Sequence, residues 1–225
     1  MNVAVVGAGK MGLPLACVFA RNGADVVACD IKQDVVDAIN AGRCPIDEPG
    51  VPEILAAQAA EGRLRATTDT AGAAAHSDVV VVIVPVMLTP ERTADLRAIE
   101  SVTRQIAKGM RRGALVSYET TLPVGGTRRL LALLEAGGLR GGQDFDLVFS
   151  PERVKSQRVI ERLTENPKIV GGLTPAGAAV ASTAAVASGV AVGASASATA
   201  APPTVTGSSP RAAVVSPSTS AAWTR

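Results

Sequence analysis

Aromatic side chains make up only 2% of the 225 residues: one Trp, one Tyr and three Phe. So few rings offer no stacking platform for a single strand of nucleic acid. The formal net charge is +2, and no run of Lys or Arg is longer than a pair such as Arg111–Arg112, so a duplex finds no basic footprint either. Nucleic acid is therefore not an expected partner. Histidine occurs once, at His76, where a solvated turn before Ser77–Asp78 accounts for it. With no second histidine and no C-x-x-C pair, no metal site is expected. The three cysteines, Cys17, Cys29 and Cys44, are an odd count, and the first two fall on apolar helix and strand positions, as small core residues do. Met1 leads straight into an apolar strand without a basic n-region or a cleavage site, which predicts a cytoplasmic protein.

Charge is missing altogether from Ile169 to Pro210, and Glu165 is the last acidic residue. A membrane span is not expected there, because Ala, Gly, Ser and Thr dominate and Leu, Ile and Phe are nearly absent. These side chains also offer too little apolar area to offset the entropy of ordering. Thr174–Pro175 reads as a helix N-cap followed by proline at the first helical position, and no period is sustained far beyond it. The expected organisation is one folded domain over 1–180 and a low-complexity, disordered tail over 181–225. The tail has the residue set that GC-rich codons give when read in a shifted frame.

The first thirty residues carry the most information. Asn2–Val6 is an apolar run that enters Gly7-Ala8-Gly9-Lys10-Met11-Gly12, and a second run from Asp25 ends at Asp30. Strand, G-x-G-x-x-G turn, helix, strand and carboxylate follow in the order that a dinucleotide requires. Gly7 permits the tight turn, Gly9 admits a pyrophosphate close to the backbone, and Gly12 lets the helix pack on the strand. Lys10 and Met11 complete the turn, where a helix N-terminus presents free N–H groups and partial positive charge. Asp30 is placed to accept hydrogen bonds from both ribose hydroxyls of adenosine. It would repel a 2′-phosphate and no Arg directly follows it, which predicts NAD and not NADP.

Candidate strands at 2–7, 25–30, 63–67, 79–84, 114–118 and 146–150 alternate with candidate helices at 11–22, 33–41, 95–108 and 126–136. Val79–Val84 is β-branched throughout and does not alternate, as expected of a parallel strand buried on both faces. The fold class is therefore α/β: a Rossmann-type, doubly wound, mostly parallel sheet with its crevice at the carboxyl ends of the strands. That crevice gathers Gly7–Gly12, Asp30, Pro85–Val86, Glu119–Gly125 and Ser150–Glu152.

Three further segments narrow the function. Asn40-Ala41-Gly42-Arg43-Cys44-Pro45-Ile46-Asp47-Glu48-Pro49-Gly50 resembles the N-x-G-x-x-P-I-x-E-P-G loop of the nucleotide-sugar dehydrogenases, the UDP-glucose and UDP-N-acetylmannosamine 6-dehydrogenase family. Glu119-Thr120-Thr121-Leu122-Pro123-Val124-Gly125 is similar to its E-S-T-V-P-P-G. Ser150-Pro151-Glu152-Arg153-Val154, with Pro167-Lys168-Ile169-Val170-Gly171-Gly172 after it, looks like its S-P-E-R-V and P-K-I-V-G-G. The resemblance extends from residue 1 to about 180.

It implies NAD-dependent oxidation of a UDP-sugar at C6, from alcohol to carboxylate, in polysaccharide precursor synthesis. The family traps its aldehyde on a cysteine and hydrolyses the resulting thioester. By position, Thr121 would lie near the nicotinamide and help orient a water, unless it only bonds its own turn. Glu152 would assist acid–base steps, unless it serves as an N-cap or pairs with Arg153 or Lys155. Glu48 would either shape a rigid loop or touch substrate, and Arg158 and Arg162 would share a helix face that is solvated or draws a diphosphate. Val86 replaces the family's Thr at the cofactor, and Ser156–Gln157 replaces a Pro-Gly or an acidic residue. The resemblance also implies a homo-oligomer, although the family's dimer helix, its Lys-Asn helix and its nucleophile motif are not found in these residues. No cysteine follows Cys44, so the 225 residues are expected to bind NAD without completing the oxidation. Two other readings stand beside this one: a non-catalytic NAD-binding module, and a 3-hydroxyacid or 6-phosphogluconate type of dehydrogenase, whose opening is similar but which lacks S-P-E-R-V.

Overall fold

Alternation of apolar strands with helices produces one eight-stranded sheet covered on both faces. The computed structural model of the chain describes residues 1–187 and 192–197, with side chains through residue 185. The first half contains β1 (Asn2–Val6), α1 (Gly12–Arg21), β2 (Asp25–Cys29), α2 (Gln33–Asn40), α3 (Val51–Ala60) and β3 (Leu64–Thr67). α4 (Thr70–Ala75) and β4 (Val79–Val82) follow, then a short hairpin of β5 (Met87–Leu88) and β6 (Ala94–Asp95). The chain continues through α5 (Arg97–Gly109), β7 (Leu115–Tyr118), α6 (Gly126–Glu135) and β8 (Asp146–Phe149). α7 (Val159–Glu165), β9 (Lys168–Gly172), α8 (Pro175–Ala187) and β10 (Val192–Ser197) complete the described elements.

The strand order is β10-β9-β8-β7-β4-β1-β2-β3. Every neighbouring pair is parallel except β8 with β9. From β1 the chain winds outward through β2 to β3, then returns to the other side of β1 as β4. The winding reverses between β1 and β4, and that reversal opens the crevice at the carboxyl ends of the strands.

Alternation along each strand sorts the core into two layers. Val3, Val5, Val79 and Val81 face the layer of α1, α3, α7 and α8. Ala4, Val6, Val80 and Val82 face that of α4, α5 and α6. Each fully buried Val or Leu contributes about 1.5–3 kcal/mol, so the central strands hold the fold without any disulfide. Helix α1 is buried along nine of its ten residues, Gly12 to Ala20, because the sheet covers one side and α3 and α7 pack on the other.

The six strands and four helices read from the sequence all form, within about two residues at each end. α3, α4, α7, the β5–β6 hairpin and β9 are additional. α4 is alanine-rich and lacks an apolar stripe; its signal is the N-cap Asp69, whose Oδ1 accepts from Gly72 N–H at 2.9 Å. Thr174 and Pro175 start α8 as read, with Thr174 Oγ1 accepting from Gly177 N–H at 3.0 Å. Regular structure runs past the point where the sequence loses its period: α8 continues to Ala187, and β10 pairs in parallel with β9 as far as Ser197. Alanine needs no amphipathic period to be helical, and Ala178 and Ala181 are small enough to bury directly against the sheet. The rest of the expected tail, 188–191 and 198–225, lies outside the described residues, and no described helix is long and apolar enough to cross a membrane.

Candidate functional site

The turn after β1 is built by its glycines. Gly7 has φ +105°, and a Cβ there would stand 2.8 Å from the carbonyl oxygen of Ile83. A Cβ on Gly12 would come within 1.7 Å of the Gly7 oxygen, so the first turn of α1 can sit on β1 only with hydrogen at this position. Gly9 is different: a Cβ there would meet nothing within 4 Å, which leaves its face open to the crevice. No side chain caps α1, and among the described residues the N–H groups of Gly9 and Lys10 donate to nothing. Free N–H groups, a helix dipole and an open backbone face suit a diphosphate. At the end of β2, Asp30 Oδ2 accepts from Ala8 N–H at 3.1 Å and Oδ1 from Lys32 N–H at 3.0 Å, so the carboxylate is tied to the glycine turn.

A cavity of about 1060 Å³ opens here, and all nine site residues read from the sequence line it. In sheet order they are Asp30 after β2, Gly7, Gly9, Lys10, Met11 and Gly12 after β1, Val86 after β4, Thr121 after β7 and Glu152 after β8. Val86 is half-buried against the core on the α5 side. Thr121 makes no side-chain hydrogen bond to its own turn among the described residues; its neighbour Thr120 links across to the segment after β4, its Oγ1 donating to the carbonyl of Val84 at 2.7 Å. The Thr121 side chain is exposed to the cavity.

Glu152 does not pair with Arg153 or Lys155. Its Oε1 accepts from the N–H groups of Arg153 and Val154 at 2.7 and 3.1 Å, and its Oε2 accepts from Lys168 Nζ at 3.1 Å. The same ammonium donates to Glu119 Oε2, and both Lys168 and Glu119 are buried. Burial raises the Glu119 carboxyl above its ordinary value, and the neighbouring Lys168 only partly offsets it. Burial works to lower Lys168, but Glu119 and Glu152 outweigh it and hold the ammonium above its ordinary value. The sequence reading assigned no role to Lys168 or to the Glu119 carboxylate. A signal was available: in Lys168-Ile169-Val170 the lysine occupies the buried register and isoleucine the exposed one.

Glu48 is buried, accepting from Gln157 N–H at 2.7 Å and Val159 N–H at 2.9 Å, so it caps α7 from a distance of over a hundred residues in sequence. Gln157 sits at φ +72°, in the left-handed region, where the family's Gly would be unstrained. Its Nε2 donates to Asp47 O at 3.2 Å, which helps to hold that conformation. Of the alternatives for Glu48, the rigid-loop role is the one formed. Arg158 is exposed and Arg162 half-buried, and they pair with Glu161 and Glu165 on their own helix, the solvated arrangement.

The profile of the NAD-binding domain of the UDP-glucose/GDP-mannose dehydrogenase family matches residues 1–185. The chain belongs to this family. Among its relatives, the UDP-N-acetyl-D-mannosamine dehydrogenase of Pyrococcus horikoshii is 39% identical over 175 residues, 77% of this chain and 41% of that protein. The NDP-N-acetyl-D-galactosaminuronic acid dehydrogenase of Ralstonia nicotianae is 38% identical over 182 residues, 77% of this chain and 42% of that protein. The structure of the Pyrococcus horikoshii UDP-D-ManNAc dehydrogenase superposes with a TM-score of 0.82 at 35% identity, over 88% of this chain and 46% of that one. The chain thus spans under half the length of these relatives. Its crevice is that of an NAD-binding domain of the UDP-glucose/GDP-mannose dehydrogenases, and the open Gly9 face and the Asp30 carboxylate fit that cofactor.

Proposed function

We propose that these 225 residues bind NAD in the crevice as the cofactor half of a UDP-sugar 6-dehydrogenase. Free N–H groups at Gly9 and Lys10 meet the pyrophosphate, Asp30 takes the adenosine ribose, and Val86 and Thr121 flank the nicotinamide. The bound cofactor supplies a hydride acceptor. Glu152, anchored by two backbone N–H groups and Lys168, faces the same crevice as a base for the proton of a sugar hydroxyl. Gathering of the glycine turn, Asp30, Thr121 and Glu152 around one cavity is the observation that carries this reading.

The thiols favour binding without complete turnover by these residues. Burial pushes both Cys17 and Cys29 up to about 12, so neither supplies a thiolate at neutral pH. Cys44 does not line the crevice, its thiol is also raised by burial, and it donates to Ile46 O at 3.2 Å. Covalent capture of an aldehyde therefore has no nucleophile here. Calorimetric titration with NAD, followed by assay of NADH production with UDP-glucose and UDP-N-acetylmannosamine, tests both parts. NAD should bind and sustained NADH production should be absent. Failure to bind NAD defeats the first part, and steady turnover dependent on a UDP-sugar defeats the second.

A further inference from the structure

Lys168 lies buried at the start of β9 with its ammonium against two carboxylates from different strand ends, Glu119 after β7 and Glu152 after β8. Two carboxylates against one ammonium leave one negative charge over, in a place where unpaired charge is expensive. A proton held on the set removes that excess. Glu119 is also the wall between two cavities: it lines the crevice and a second space of about 40 Å³ beneath α8, which Ser117, Ser150 and Lys168 line with it. The Ser150 hydroxyl is 2% exposed and has no hydrogen-bond partner among the described residues. The space has room for a water, whose share of liquid volume is about 30 Å³, and a buried, unpartnered hydroxyl is the kind of group that binds one.

We propose that Lys168 is a positioning residue that ties Glu152 in the crevice to Glu119 behind it, so that the two carboxylates hold one exchangeable proton between them and a water at Ser150 serves the inner face of Glu119. The proposal rests on reading Glu152 as the acid–base group. The unprotonated pair is the form that acts as base: the proton that Glu152 takes from a sugar hydroxyl is the one proton the coupled pair then holds. The charged groups facing Glu119 are Lys168 from β9 and Glu152 from the loop after β8. Across the small cavity, the side chains from β1, α1 and α8 (Val3, Phe19 and Ala181) are uncharged, and Met1, ahead of β1, brings the N-terminal ammonium to its lining. Lys10, Asp30, Lys32 and Asp69 belong to the opposite, β1–β3 end of the crevice.

The test is a pH titration of the whole chain carrying ¹³C at its Glu side-chain carboxyls, followed by NMR. The Glu119 signal is identified by its loss in Glu119→Gln. Glu152→Gln should shift the Glu119 midpoint down by about one pH unit or more, and Lys168→Met should shift it up by a similar amount. A lysine that only fills a polar gap in β9 leaves the Glu119 midpoint unchanged by Glu152→Gln, and that result overturns the proposal. Should Lys168→Met fail to fold, Glu152→Gln decides alone, since it is isosteric and sits at the crevice. NAD affinity of the same samples reports separately on the cofactor site, so failure of the proposed function and failure of the coupling give different results.

Discussion

Removing the Asp30 carboxylate should cost NAD affinity and cofactor discrimination together, and the structure separates the two effects. Asp30 accepts from Ala8 N–H and Lys32 N–H, which leaves lone pairs on each oxygen for ribose hydroxyls. Loss of a charge-assisted hydrogen bond is worth about 1.5–3 kcal/mol, so Asp30→Ala should weaken NAD roughly 10- to 150-fold. It should also lower unfolding stability by about 1 kcal/mol through the lost bond to Ala8. Asp30→Asn keeps a neutral acceptor for Ala8 N–H and should recover that stability while remaining weak for NAD. A 2′-phosphate about 4 Å from the carboxylate is repelled by about 4 kcal/mol per unit charge before salt screening. NADP should therefore bind the unaltered chain far more weakly than NAD, and Asp30→Ala should narrow the gap. Calorimetric titrations of both cofactors, with urea unfolding of all three proteins, measure every term. NADP binding the unaltered chain as tightly as NAD, or NAD binding indifferent to Asp30→Ala, refutes the reasoning.

Gly12→Ala should cost about 3 kcal/mol or more, or prevent cooperative folding, because its Cβ would lie 1.7 Å from the Gly7 oxygen; urea unfolding checks this. Glu48→Ala should lower unfolding stability by about 2–4 kcal/mol, since two backbone N–H groups at the start of α7 lose a charged acceptor, with Glu48→Gln falling between. Glu119 gives a pH signature: its folded value is raised above the ordinary 4.5, so the folded state binds the extra proton and its contribution to stability fades as pH rises through the raised value. The stability of the unaltered chain minus that of Glu119→Gln should therefore fall from pH 4.5 upward, as followed by urea unfolding across that range. A flat difference would show that Glu119 titrates alike folded and unfolded.

The glycine turn, Asp30 and the buried β4 run were legible because each is a local pattern with one physical use. A G-x-G-x-x-G after a strand serves a close backbone approach, and an unbroken β-branched run serves a strand covered on both faces. Thr121 and Glu152 were found through motif resemblance, and the crevice rule placed them at neighbouring strand ends. Other features depend on partners distant in sequence. Glu48 caps α7 across 111 residues and Lys168 reaches Glu119 across 49, separations at which local pattern carries no information. α8 was underestimated for the opposite reason: alanine makes a good helix and a close-packed face while leaving almost no periodic signal in the sequence.

The most direct test of the account is a map of backbone amide shifts of the ¹⁵N-labelled chain on addition of NAD. The account predicts saturable shifts at Gly9, Lys10 and Met11, at Asp30, and at Val86 and Thr121, with the α8 face unaffected. No saturable shift, or shifts centred away from the carboxyl ends of β1, β2, β4 and β7, would contradict it.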